Sequence, residues 1–131
     1  MPTPPSDPRR TPWPLRLVAV AAGGALGTAV RIGVAELVGD QAFPWATLVV
    51  NVAGAALLGY LAVRMLHHAD TGRVAFAGVG FLGALTTFST FVAEADALPP
   101  GSSAVYVGLS LAAGLAAAHT GMALARAGSA R

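Results

Sequence analysis

Gly78-Val79-Gly80-Phe81-Leu82-Gly83-Ala84-Leu85-Thr86-Thr87-Phe88-Ser89-Thr90-Phe91 lies inside an apolar segment, from about Val74 to Ala95, that is long enough to cross a bilayer. Its three glycines are followed by four hydroxyl residues interleaved with phenylalanines. Glycine costs roughly 1 kcal/mol against alanine in a helix interior. Ser and Thr hydroxyls bond backbone carbonyls and bend or open a helix. In lipid, opened backbone is tolerated only where protein buries it or a polar cavity adjoins it. A membrane segment written this way is a candidate ion site rather than an anchor.

The remainder of the chain surrounds it with more membrane. Of 131 residues, 55% are hydrophobic and 11% charged, against about 25% charged in soluble domains. At about 20 residues per span, this length accommodates four crossings with short loops. No room is left for a soluble catalytic domain, so the chain reads as no enzyme. Cysteine is absent, which removes disulfides and thiolate metal sites. A net charge of +2 is too small to indicate a nucleic-acid partner.

Residues 1–14 hold six of the nine prolines together with Arg9 and Arg10, and are expected to form a disordered basic tail. A signal-peptide reading of the Arg pair fails because three further spans follow and no clear cleavage site ends the first. Residues 15–126 then form a single four-helix transmembrane domain, an all-α membrane protein with spans at about 15–38, 44–66, 74–95 and 104–125. Span one carries Gly23-Gly24-Ala25-Leu26-Gly27, a small-residue face for close helix packing. Arg31 near its end is either a snorkelling side chain or a fixed cation at an aqueous vestibule. Span two opens on Pro44-Trp45 and buries Thr47 and Asn51. An unpaired amide there is costly, so Asn51 faces protein or water, as interhelical glue or as a ligand. Gly54 and Gly59 again permit close packing.

His67, His68 and Asp70 read as solvated loop residues, since adjacent histidines cannot both face one metal from a helix. Pro99-Pro100-Gly101-Ser102-Ser103 reads as a turn. In span four, Tyr106, Ser110 and Gly114 recur every fourth residue and share one face. His119 lies on another face as a packed or interfacial histidine. Glu94 is either a vestibule residue or a solvated helix-end carboxylate.

Three segments together resemble the Fluc (CrcB-type) fluoride channels. They are Gly23 to Arg31, Thr47 to Gly54, and Gly80-Phe81-Leu82-Gly83-Ala84-Leu85-Thr86-Thr87-Phe88-Ser89-Thr90-Phe91 with Glu94. The resemblance covers about residues 15–125, and the Gly-x-x-Thr-Thr-Phe-Ser-Thr-Phe run carries its specificity. It implies an antiparallel, dual-topology dimer with two fluoride pores, in which the third helix breaks at mid-membrane. It further implies a structural, untransported sodium ion on the backbone carbonyls of Gly83 and Thr86 from both subunits. Phe88 and Phe91 would be the pore phenylalanines and Asn51 the pore amide. Ser89, Thr90, Tyr106 and Ser110 would supply a hydroxyl track, which Gly114 interrupts where relatives carry another hydroxyl.

The physics suits those residue types. Stripping water from fluoride costs tens of kcal/mol unless other donors replace it. Amide and hydroxyl donors do so, and phenylalanine presents an electropositive ring edge to an anion. Several weak sites in a row let the ion enter and leave. The alternative classes fare worse. A small four-helix drug/proton antiporter wants a carboxylate deep in a span, and Glu36 and Glu94 lie near span ends. A non-transporting assembly protein has no use for costly polar residues in spans two to four.

Charge distribution adds orientation. Arg9, Arg10, Arg16, Arg64, Arg73, Arg126 and Arg131 fall on one side of a four-span chain, whereas Glu36, Asp40, Glu94 and Asp96 fall on the other with Arg31. The positive-inside rule then favours cytoplasmic termini in the cell membrane. A strictly dual-topology homodimer shows almost no such bias, so the second subunit is either this chain or an oppositely biased homologue. Mapping the termini in cells with a compartment-specific reporter is expected to place most of them in the cytoplasm; a near-even split removes the case for an obligate second partner.

Overall fold

The structure, a computed structural model, describes residues 11–65 and 71–129. The elements are α1 (Trp13–Val38), α2 (Trp45–Met65), α3 (Thr71–Arg73), a π-helical segment (Val74–Leu82), α4 (Gly83–Leu85), α5 (Phe88–Ala97) and α6 (Pro100–Ser129). Among the described residues, four stretches are long and apolar enough to cross a membrane: Trp13–Val38, Trp45–Met65, Thr71–Ala97 and Pro100–Gly128. The chain is therefore an all-helical membrane protein. The expected loop residues His67, His68 and Asp70, and the basic residues Arg9, Arg10 and Arg131, lie outside the described residues.

Two boundaries differ from the sequence reading, both because of proline. The first helix starts at Trp13, with Pro12 at its N-cap and Pro14 in its first turn, so the proline-rich segment does not run to residue 14 as a tail. Likewise α6 starts at Pro100 and absorbs Gly101, Ser102 and Ser103, four residues earlier than the expected turn allowed. Proline fits a first helical turn because its missing N–H would be unpaired there anyway. Ser103 completes the start: its N–H donates to the Pro99 carbonyl (2.8 Å) and its hydroxyl to the Ala95 carbonyl of α5 (2.6 Å). At the other end of α1, Gly39 has φ 67° and donates its N–H to the Ala35 carbonyl (2.9 Å). That left-handed cap is where glycine is favoured.

Two helix pairs make the bundle: α1 lies along the π-helical segment and α4, and α2 lies along α6. Lipid gives apolar side chains no incentive to leave it, so helices associate through close backbone packing. Gly23 and Gly27 of α1 face the carbonyls of Phe76 and Phe81, and a Cβ at either would strike backbone. In the second pair Gly59 meets the Ala118 carbonyl and Gly121 meets the Ala56 carbonyl. Val50, Leu82 and Leu85 form the small core that joins the pairs, with Val34, Leu61 and Phe81 against it. Large apolar residues cover the outside; Leu37 is 89% exposed and Trp13 71%.

The ends of the bundle are chemically distinct. The Thr11 N–H donates to the Thr71 hydroxyl (2.9 Å), tying the start of α1 to the start of α3. At the opposite end, a cavity of about 320 Å³ is lined by residues from the end of α1, the start of α2 and the end of α5. Arg16, Arg64, Arg73 and Arg126 thus belong to one end of the bundle, and Glu36, Asp40, Glu94 and Asp96 to the other.

Candidate functional site

The third span changes character after Leu85. Thr86 (φ −79°, ψ 150°) and Thr87 (φ −143°, ψ 124°) are extended, and helix resumes at Phe88. The two amide N–H groups and the Thr87 carbonyl at this junction have partners. The Thr86 N–H and hydroxyl both donate to the Leu82 carbonyl, at 3.0 and 2.9 Å. The Thr86 methyl fills the space beside Gly54 of α2, where any Cβ would collide with it. The Thr87 N–H donates to Asn51 Oδ1 (2.8 Å), and Asn51 Nδ2 donates back to the Thr87 carbonyl (3.1 Å). One side chain therefore satisfies both backbone groups of one residue, and the pairing fixes which way the amide points.

The Thr87 side chain then begins α5. Its Oγ1 accepts from the Thr90 N–H (3.2 Å) and donates to Thr90 Oγ1 (2.9 Å). This is N-capping by a threonine. These bonds have a consequence for two carbonyls upstream. In an uninterrupted helix, Gly83 C=O would accept from the Thr87 N–H and Thr86 C=O from the Thr90 N–H. Both donors are engaged elsewhere, so both carbonyls lose their helical partner. Gly83 and Thr86 are the two residues whose carbonyls the family resemblance implies for sodium, and uncharged carbonyl oxygens suit a small, hard cation. Among the described residues, no group of three or more His, Cys, Asp or Glu side chains could hold a metal.

A groove of about 400 Å³ lies beside the junction, lined by Asn51, Gly54, Gly83, Thr86, Thr87, Phe88, Phe91 and Ser110 among others, none of them charged. The Ser110 hydroxyl oxygen is buried without a hydrogen-bond partner. Asn51 spends its oxygen and one N–H on Thr87, which leaves its second N–H as a donor. The Phe88 and Phe91 rings are 6.0 Å apart and tilted by 34°, and Phe88 is 78% exposed. An amide, a hydroxyl and two phenylalanines thus line an uncharged groove.

Other expected residues are elsewhere. Ser89 and Thr90 do not line the groove; their hydroxyls cluster with that of Thr87. Tyr106 does not line it either, although it shares a face of α6 with Ser110, four residues on. Its side chain is fully buried, and its hydroxyl donates to Glu94 Oε2 (2.8 Å) while Thr47 donates to Glu94 Oε1 (2.8 Å). Phe91 and Phe43 flank the Tyr106 ring at 5.2 and 5.5 Å. Glu94 is therefore a hydrogen-bonded carboxylate joining three spans, not a freely solvated helix end, although it also lines the acidic-end cavity with Asp40 and Trp45. The Thr47–Glu94–Tyr106 link escapes sequence reading because its members are 47 and 12 positions apart. Their only shared signal is polarity inside apolar spans.

Arg31 stands apart from the groove with its Nε buried and unpaired. His119 is exposed, its Nδ1 3.3 Å from the Leu115 carbonyl, and it joins neither cluster.

Comparison with known proteins identifies the family. Residues 18–122 match the family model described as CrcB-like protein, Camphor Resistance (CrcB). Over 118 residues the chain is 43% identical to the Fluoride-specific ion channel FluC 1 of Mycolicibacterium paratuberculosis, covering 84% of this chain and 89% of the relative. It is 44% identical over 120 residues to the Fluoride-specific ion channel FluC of Bordetella petrii, covering 87% and 94%. The Fluoride-specific ion channel FluC 2 of Rhodococcus jostii is 43% identical over 118 residues, covering 84% and 98%.

The Glu94 cluster generates a stability test. Glu94→Ala leaves two buried hydroxyls without an acceptor, at a cost of about 1–3 kcal/mol each. Thermal unfolding in detergent is expected to show a clear loss for Glu94→Ala, and partial recovery when Tyr106→Phe removes one orphaned donor. Equal stability of wild type and Glu94→Ala would show that the carboxylate joins nothing.

Proposed function

The chain belongs to the CrcB family, and from that premise we propose that it is a fluoride-selective channel, not an enzyme, that lets cytoplasmic fluoride leave the cell passively. The observation that carries the reading is the uncharged groove at the helix junction. There the free Asn51 N–H, the unpaired Ser110 hydroxyl and the Phe88 and Phe91 rings converge. A dehydrated anion needs donors in place of water, and a lining without carboxylates does not repel it. The ring edges extend the path without binding the ion tightly. The relatives' names describe channels, so the antiporter alternative is set aside.

In this reading, the junction at Thr86–Thr87 lies at the middle of the bilayer. Two subunits of opposite orientation meet along it and enclose two pores. An exposed Phe88 and a groove open at the surface of a single chain support a second subunit as its cover. The released carbonyls of Gly83 and Thr86 would hold a structural sodium ion, supplying fixed positive charge between the pores. Ser89 and Thr90 would offer hydroxyls where α5 begins. Tyr106 would act through Glu94, whose site adjoins the cavity at the acidic end, and Arg31 would hold positive charge at a vestibule. The partition of basic and acidic residues supports a cell-membrane protein with its termini preferentially in the cytoplasm. The partner is then either a second copy or an oppositely oriented homologue, surrounded by membrane lipid.

Purified protein in liposomes is expected to release fluoride rapidly and chloride negligibly. Phe88→Ile, Phe91→Ile and Asn51→Asp are each expected to reduce fluoride flux severely while the purified dimer still assembles. Comparable chloride flux would contradict selectivity, and unchanged flux in all three variants would place the pore elsewhere.

A further inference from the structure

We propose that Asn51 and Thr87 are positioning residues that create the cation site by drawing two backbone donors out of the helix. The inference rests on the sodium reading above and deepens it. A carbonyl inside a helix is a poor ligand because its lone pairs already face an N–H. Gly83 and Thr86 become ligands only if the amides four residues ahead are held elsewhere. The structure supplies a separate device for each. Asn51 Oδ1 takes the Thr87 N–H at 2.8 Å, and Thr87 Oγ1 takes the Thr90 N–H at 3.2 Å. Asn51 also donates to the Thr87 carbonyl at 3.1 Å, holding that peptide by both its groups. The Thr86 hydroxyl prevents a third carbonyl, that of Leu82, from becoming a competing ligand, since it already receives two donors.

This assigns Asn51 two separable tasks. Its oxygen shapes the backbone for the cation, and its remaining N–H faces the groove. The Thr87 side chain acts here through Thr90, whose N–H it holds. A hydroxyl there is needed as an acceptor for Thr90, so serine should serve and valine should not. Without that acceptor, the Thr90 N–H is free to return to the Thr86 carbonyl.

The test is sodium-dependent thermal stability of the full chain in detergent, with choline replacing sodium at constant ionic strength. An ion that binds only the folded state raises the unfolding midpoint with its concentration. Wild type, Thr87→Ser and Asn51→Asp are expected to show the sodium response, since each keeps the relevant acceptor. Thr87→Val is expected to need at least about tenfold more sodium for the same shift, the scale of one lost interaction. Asn51→Asp is expected to separate the two tasks, retaining the sodium response while losing fluoride flux. A full sodium response in Thr87→Val, or none in wild type, would overturn the proposal. If Thr87→Val does not fold, loss of the response in Asn51→Asp or Thr87→Ser would overturn it equally. Wild-type fluoride flux is measured separately, so a failed sodium response leaves the channel reading standing, and absent flux leaves this assignment open to its own readout.

Discussion

A membrane helix can be interrupted only if something other than water accepts its orphaned backbone groups, and here the Asn51 amide does so for Thr87. An unpaired peptide group in hydrocarbon costs several kcal/mol. That cost makes the pairing a condition of the structure rather than an addition to it. The extended backbone at Thr86 and Thr87 lets α5 restart with its own cap, which places Phe88 and Phe91 beside the groove. The Thr87 N–H bond to Asn51 strips Gly83 of its helical donor, and the Thr90 N–H bond to the Thr87 hydroxyl strips Thr86 of its own. Structure and proposed ion chemistry thus share one cause.

That arrangement requires α2 to stand close to the third span, and small residues make the approach possible. Gly54 admits the Thr86 methyl, and Gly59 and Gly121 bring α6 against the other side of α2 so that Ser110 reaches the groove. On the far side, Gly23 and Gly27 let α1 rest on the π-helical segment. The Glu94 station works on the same principle at one end of the bundle. Thr47 from α2 and Tyr106 from α6 both donate to a carboxylate on α5. Thr47 and Tyr106 are buried there, so their hydroxyls depend on that carboxylate.

Much of this was legible beforehand, and for physical reasons. Four crossings followed from apolar length, and Asn51 stood out because an amide in lipid must have a partner. The glycines of α1 and α2 announced close packing; Gly23, Gly27 and Gly59 meet backbone, and Gly54 meets the Thr86 methyl. Partners were not legible. Nothing in the local sequence says that Asn51 faces Thr87 or that Tyr106 spends its proton on Glu94, since both depend on how the spans are arranged. Pro14 and Pro100 misled because proline signals both a broken helix and a beginning one, and the tertiary context chose the second. Gly121, which lets α6 approach the Ala56 carbonyl, gave no signal among the small residues of that helix.

All of this requires that the Gly83 carbonyl be released from the helix. Isotope-edited infrared spectroscopy of protein in lipid, with a labelled carbonyl at Gly83 and a helical reference at Leu57, measures this directly. A released carbonyl gives a Gly83 band distinct from the helical reference that moves when sodium replaces choline. A Gly83 band coincident with that of Leu57 and indifferent to sodium would contradict it.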